Sequence, residues 1–361
     1  MNYLDRFRDI DINLVKGMFA EIITFRQAVK IMEVCGTHTR AIFESGLREL
    51  LPENITLISG PGCPICVTPQ IYIDTAIELA RRRDVIIVTF ADLFRVPGSR
   101  TSLQQLKGSS SDIRVISTPL EAVKIAVKNI DQEIVFLAVG FETTAPVIAL
   151  SVLEAVKLKL SNYSLLVSLK TMPAVIKRLI SDKDLAVDGF ICPGHVSTII
   201  GSQPFNFIAD EYNLPAVIAG FERVDIIRAL AKILKMIKDS NLKVENLYNR
   251  VVKTEGNLKA KSIINEVFEP VDNTWRGLAE IANSGLGLRE KYRDFNAEKR
   301  FVLKSTPQRQ VSNCICGDIL KGKKTPYDCQ LFAKNCNPLN PQGPCMVSEE
   351  GNCHIYYEYR R

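Results

Sequence analysis

The chain has 361 residues, of which 46% are hydrophobic and 24% charged, and a net charge of +6 from 46 Lys and Arg against 40 Asp and Glu. This is an ordinary globular composition with enough apolar residues for two or three domains. It excludes a membrane-spanning chain, since no apolar run approaches the roughly 20 residues a span needs. It also makes nucleic acid an unexpected partner, because the basic runs at 81–83 and 289–304 read as solvated faces.

The first eleven residues carry several charges and no apolar stretch. No secretory signal is expected there, and the default compartment is the reducing cytoplasm. An apolar run at 31–34 leads into Cys35-Gly36-Thr37-His38-Thr39, and a second at 55–59 leads into Gly60-Pro61-Gly62-Cys63-Pro64-Ile65-Cys66. Thr68-Pro69 opens a helix to about residue 82, followed by strand-like runs at 85–90 and 113–117. Thr118-Pro119-Leu120-Glu121 is a capping box with Pro at the first helical position. Runs at 134–139, 165–169, 189–192 and 216–219 then alternate with helical patterns at 144–160, 172–181 and 222–238. Most of these runs lack polar alternation, as strands buried on both faces do. The pattern predicts two doubly wound α/β lobes with a cleft between them, spanning 1–129 and 130–240. Beyond about 240 no further strands are expected. A mixed region and a Cys-rich metal-bearing domain fill 241–361, and such a tail needs a metal or cross-link to order it.

The ten cysteines fall mostly into two groups. Cys35, Cys63 and Cys66 sit near the start; Cys314, Cys316, Cys329, Cys336, Cys345 and Cys353 crowd the end. Both groups lie among Gly and Pro, where turns are expected to expose thiols and bring them together. Cys63-x-x-Cys66 has the spacing of a disulfide pair or of two ligands to one metal, close to a helix start whose dipole favours thiolate. Cys35 and His38 are three apart and suit an activated nucleophile or a soft metal ligand. Glu142, in Gly-Phe-Glu-Thr-Thr, reads equally as an acid/base or as an acceptor at a helix start. His195 lies in a Gly-containing loop after a strand-like run, where histidine is more often structural than a ligand. Cys192 reads as packing. The tail lacks paired C-x2-4-C knuckles, so its spacing fits an iron–sulfur cluster better than zinc, which stays open as the alternative.

Together these motifs resemble the HypD family of hydrogenase maturation factors. The matching segments are Cys-Gly-Thr-His-Thr at 35–39, Gly-Pro-Gly-Cys-Pro-Ile-Cys-Val-Thr-Pro at 60–69, Gly-Phe-Glu-Thr-Thr-Ala-Pro at 140–146, Pro-Gly-His-Val-Ser at 193–197 and Gly-Pro-Cys-Met-Val-Ser at 343–348. Cys314, Cys329, Cys336 and Cys353 reproduce the family spacing C-x14-C-x6-C-x16-C. The one departure is Ile65, where Val is usual.

The resemblance implies two α/β lobes with a [4Fe-4S] domain. It also implies a part in building the Fe(CN)2CO group of [NiFe]-hydrogenases, with a HypC-like chaperone and a HypE-like cyanide donor as partners. On this reading Cys35 anchors the transient iron carrying CN and CO, and His38 orients it. Cys63 and Cys66 exchange two electrons, Cys314, Cys329, Cys336 and Cys353 hold the cluster, and Glu142 and His195 line the cleft. The chain is then an assembly scaffold with redox activity rather than a conventional turnover enzyme. The rival is a [4Fe-4S]-dependent dithiol/disulfide oxidoreductase acting on a protein disulfide. The electron route requires the tail to fold back to the Cys63–Cys66 loop.

Overall fold

The computed structural model describes residues 12–108, 111–182, 184–303 and 313–360. The N-terminal segment read above as lacking a signal, and the end of the basic stretch at Lys304, lie outside the described residues. The strands are β1 (Val29–Glu33), β2 (Ile55–Ser59), β3 (Val85–Thr89), β4 (Asp112–Val115), β5 (Glu133–Gly140), β6 (Tyr163–Lys170), β7 (Gly189–Cys192), β8 (Ala216–Ile218), β9 (Val244–Asn246), β10 (Phe268–Trp275) and β11 (Ala279–Leu288). The helices used below are α1 (Ile12–Thr24), α2 (Gly36–Ser45), α3 (Gln70–Ala80), α4 (Pro119–Lys128), α5 (Ala145–Lys157), α6 (Met172–Ile180), α7 (Gly194–Ile200), α8 (Arg223–Lys238), α9 (Leu258–Val267), α10 (Cys316–Leu320) and α11 (Asn352–Glu358). Among the described residues no helix is long and apolar enough to cross a membrane.

Two sheets organise the chain. The first has the order β2-β1-β7-β8-β9 and is parallel throughout. In the second, β10-β11-β6-β5-β3-β4, four strands are parallel and the β10–β11 hairpin adds an antiparallel edge.

Every apolar run read as a strand is one, and the burial explains why. Successive residues of β3 point to opposite faces. Val85 and Ile87 enter a core shared with Met32, Val34 and Phe190 of the first sheet, while Ile86 and Val88 enter an outer core under α4, α5 and α9. The first sheet packs Val29, Ile31, Ile191 and Val217 outward against α1 and α8. A Val, Ile, Leu or Phe fully buried in this way contributes roughly 1.5–3 kcal/mol.

The sheets do not divide at residue 129 or at 240. β3, which precedes 129, pairs with β5 and carries β4 on its other side, while β7 returns to pair with β1 and carries β8. Parallel pairing needs a crossover rather than a hairpin, and the crossover from β2 to β7 contains the central part of the second sheet. His195, expected in one lobe with Glu142, therefore sits on the sheet that carries Cys35.

Strands also continue beyond 240. β9 joins the first sheet, and β10–β11 covers the edge of the second. The hairpin escapes a pattern reading because β10 alternates buried or half-buried residues with exposed ones and contains Pro270, which an edge strand tolerates. Its turn uses Gly277 at φ +78° and Ala279 at φ +63°.

The tail does fold back. Cys316, Cys329, Cys336, Cys345 and Cys353 share one apolar core with Cys63 and Cys66. Asn352 Nδ2 donates to the carbonyl of Ser59 at 3.2 Å, and Arg40 Nη2 donates to the carbonyl of Glu349 at 2.9 Å. The turns bring the thiols together as expected but bury them instead of exposing them; only Cys314 is partly accessible among the free cysteines.

The loop after β2 lies against the start of α2 with no room to spare. A Cβ on Gly62 would meet the Cys35 Cα and the Gly36 nitrogen at 2.5 Å, both backbone atoms that cannot swing away. Gly62→Ala is expected to cost roughly 1–3 kcal/mol in denaturant unfolding. Gly17→Ala, exposed in α1 with nothing near its Cβ position, is expected to stabilise by up to about 1 kcal/mol. Equal effects at the two sites would contradict the packing described.

Candidate functional site

Because β2, β1, β7 and β8 are adjacent and parallel, their carboxyl ends open on one edge of the first sheet. This is where α/β folds place function. Side by side along that edge stand the Gly60–Cys66 loop, the Cys35 turn, the His195 loop and the Ala219-Gly220-Phe221 loop. Backbone bonds fix their heights: Gly60 N–H donates to Glu33 O at 2.8 Å, Gly36 N–H to Gly62 O at 3.3 Å, and Val34 N–H to Ile191 O at 3.3 Å.

Cys35 is the N-cap of α2, with an extended backbone and no side-chain capping bond. Burial, and then the nearby Glu350 carboxylate, push its thiol up to about 11. The amides of Thr37 and His38 at the helix start favour the thiolate but are outweighed. The free chain therefore holds Cys35 as a thiol at neutral pH.

His38, one turn into α2, is fully buried. Its Nε2–H donates to the Gly220 carbonyl at 3.0 Å, which assigns the tautomer and leaves Nδ1 with a lone pair and no partner among the described residues. Burial pulls this imidazole down to about 4, so it stays neutral. His195 is exposed to solvent at the rim, and the burial of part of its ring shifts it down as well. The Phe221 ring meets both imidazoles, with centroids 3.9 Å from His195 and 4.7 Å from His38. The structure thus brings Cys35, His38 and His195 to one edge. Phe221, the aromatic that fixes the two imidazoles, was visible in the sequence only as part of a repeated Gly-Phe-Glu tripeptide.

Cys63 and Cys66 are joined as a disulfide, with Cα atoms 5.3 Å apart. They lie in the turn that leads into α3, and are 2% and 0% exposed. Glu142 follows β5, on the second sheet. Its Oε1 accepts from the Met172 amide at 2.9 Å, the first residue of α6, while Oε2 is buried without a partner. Burial pushes this carboxyl up to about 7. It caps a helix, as one of its two readings had it, though the helix belongs to the neighbouring strand. Cys192 is fully buried in the core between the sheets, as a packing residue is.

The tail thiols form a mutual network. Cys314 hydrogen-bonds with Cys316, which holds Cys314 down to about 6. Cys345 hydrogen-bonds with Cys353, and Cys336 feels Cys314, Cys329 and Cys345. Among the described residues no three Cys, His, Asp or Glu side chains meet at one metal-ion position.

The buried Glu33 and Lys170, and the half-buried Arg48, escaped the sequence reading. Glu33, beneath Cys35, accepts from Ser59 Oγ at 2.6 Å and faces Arg48 at 3.5 Å, and burial raises its carboxyl. Arg48 continues to Tyr356 of α11 at 2.9 Å, tying the tail to this edge. Lys170 donates to Asn273 Oδ1 at 2.7 Å and Thr274 O at 2.8 Å, and burial pulls its amine down to about 7. The available signal for Glu33 and Lys170 was a charge at the end of an otherwise apolar run.

The HypD family model, described as "Hydrogenase formation hypA family", matches residues 13–360. The hydrogenase expression/formation protein HupD of Azotobacter chroococcum mcd 1 is 43% identical over 370 residues, covering 100% of this chain and 97% of its own. The hydrogenase maturation factor HypD of Azotobacter vinelandii is 43% identical over 370 residues with the same coverage. The protein of that name from Rhodobacter capsulatus is 41% identical over 372 residues, covering 99% of this chain and 98% of its own. With its thiols, imidazoles and glycine loops set in this geometry and a match along nearly its whole length, the chain belongs to the HypD family of hydrogenase maturation factors.

Proposed function

We propose that this protein is a cytoplasmic scaffold and redox protein that holds iron, together with a HypC-like chaperone, while cyanide and CO are installed to make the Fe(CN)2CO group. A HypE-like protein delivers the cyanide. The observation that carries this reading is the backbone contact between Gly62 and Cys35, which sets a redox-capable cysteine pair beside a single buried thiol. Iron is the cargo. Low-spin iron bearing cyanide and CO suits a soft anionic anchor, and binding it to Cys35 displaces the thiol proton. His38 stays neutral beside it and offers Nδ1 as an acceptor that orients the bound group.

The tail donor set fits a [4Fe-4S] cluster held by Cys314, Cys329, Cys336 and Cys353. A zinc ion needs its thiolates around one point about 2.3 Å away, whereas the four thiolates of a cubane each bind a different iron. When bound, the cluster supplies one-electron chemistry. Reduction of the Cys63–Cys66 pair breaks the S–S bond, takes two electrons from an external one-electron donor and binds two protons. A free-standing disulfide oxidoreductase is disfavoured by burial: a pair 2% and 0% exposed gives a protein disulfide no line of attack.

Anaerobic co-expression with the HypC-like partner tests the scaffold. The complex is expected to show infrared bands of iron-bound cyanide and CO, and their absence after full reconstitution would sink the proposal. Cys35→Ala should lose the bands and keep the cluster absorbance; survival of both would remove Cys35 as the anchor.

Glu142, part-protonated at neutral pH, serves as a proton donor from the second sheet. Its folded value of about 7 lies above the ordinary 4.5. Its contribution to stability is therefore complete below about pH 4.5 and is lost as pH rises through 7. His38 acts in the opposite sense, its contribution being lost as pH falls from 6.5 to about 4. The two overlap, so the difference between wild type and Glu142→Gln isolates the carboxyl. The variant should gain stability relative to wild type as pH rises from about 4.5 to 7. A constant difference across that range would exclude a buried, protonated Glu142.

A further inference from the structure

Arg276 occupies the turn between β10 and β11 and is 7% exposed. It reaches two parts of the molecule at once. Toward the redox pair, its backbone N–H donates to Val67 O at 2.8 Å, its Nε to Thr68 O at 2.8 Å, and its Nη2 to Gln70 Oε1 at 3.1 Å. Val67 directly follows Cys66. Toward the tail, the Gly277 backbone lies against Gly317 in α10, so that a side chain at either glycine would collide with the other. Gly317 directly follows Cys316, so the turn that carries Arg276 is in backbone contact with the start of the cysteine-rich tail.

Among the described residues its guanidinium hydrogen-bonds to these neutral oxygens and to no carboxylate. A buried cation without a counter-charge is costly. The groups in reach that become negative are the tail thiols, once they carry metal. A guanidinium is well matched to this position because its planar fork can hold a loop and present fixed charge together, where an ammonium offers only a point charge.

We propose that Arg276 is the positioning residue that couples the Cys63–Cys66 pair to the tail metal centre, clamping the Val67–Gln70 segment while its charge stabilises the electron-rich state on either side. The inference rests on the cluster reading above. A positive charge nearby favours the reduced form of a centre, so removing it shifts the centre toward the oxidised form. The turn also explains why the hairpin exists at this edge: it covers the sheet and delivers one cation between two cysteine groups that are far apart in sequence.

The test uses the full chain, reconstituted anaerobically with iron and sulfide, as wild type, Arg276→Gln, Arg276→Lys and Gln70→Glu. The last variant keeps the arginine and neutralises it with an adjacent carboxylate, so it reads charge without disturbing the turn. The cluster is titrated by electron paramagnetic resonance at fixed solution potentials. Arg276→Gln is expected to lower the reduced-to-oxidised ratio about tenfold, which is about 59 mV for one electron. Gln70→Glu should lower it several-fold, and Arg276→Lys should stay within about twofold of wild type. Hydrogen exchange at Val67–Gln70 should accelerate in both arginine variants, since each loses the fork. An unchanged ratio in Arg276→Gln and Gln70→Glu, with iron and sulfide retained, overturns the proposal.

If wild type holds no iron or sulfide, the cluster reading fails by itself. The inference is then decided by the Cys63–Cys66 pair in a dithiothreitol redox buffer. There Arg276→Gln and Gln70→Glu must shift the pair toward the disulfide several-fold, and an unchanged ratio overturns it.

Discussion

Parallel pairing of β2, β1, β7 and β8 is the constraint on which the rest of the molecule depends. Parallel neighbours end on the same edge, so four loops from three distant parts of the chain are forced into one row. The glycines of those loops then allow backbone to touch backbone, as where Gly62 meets Cys35 and Gly194 meets Ala219. The parallel part of the second sheet is inserted between β2 and β7, and the sheet shares its inner core with the first. That shared core gives the tail cysteines a place to pack beside Cys63 and Cys66.

Burial dominates the electrostatics of this region. Cys35 is held as a thiol, His38 as a neutral imidazole and the Glu142 carboxyl well above its ordinary range, in each case chiefly because low-dielectric surroundings penalise charge. The free protein is therefore largely uncharged where it is proposed to bind metal. Arrival of iron with anionic ligands would supply the charge, and the fixed cation of Arg276 would lie on the side of the tail cysteines rather than beside Cys35. The polar network Glu33–Arg48–Tyr356 acts differently, securing the last helix of the chain under the edge that carries Cys35.

Much of the fold was legible because strands buried on both faces leave apolar runs without alternation. β3 and β5 were plain for this reason, as were α4 with its capping box and α8 with its sixteen-residue amphipathic span. α2 was not, since its opening Gly-Thr-His-Thr has weak helix preference; it forms because Gly46 in the left-handed region closes its far end and α8 and α11 pack on it. The β10–β11 hairpin was hidden by its half-polar pattern. At the site, Cys35, His38, Cys63 and Cys66 stood out by residue type and spacing. Phe221 and Arg276 did not, because what they do depends on contacts with residues 26 and 208 positions from them, such as His195 and Thr68.

The sequence by itself determined the inventory: which runs are strands, which residues carry chemistry, and that two cysteine groups exist. Local patterning records burial and turn preference, and both act over a few residues. Only the tertiary structure decided which strands share a sheet, that His195 stands with Cys35 while Glu142 stands apart, and that the tail returns to the redox loop. Those outcomes come from long-range pairing and from a core whose two walls belong to different sheets. No stretch of sequence contains that information alone, because each wall acquires its partner only when the chain has crossed from one sheet to the other and back.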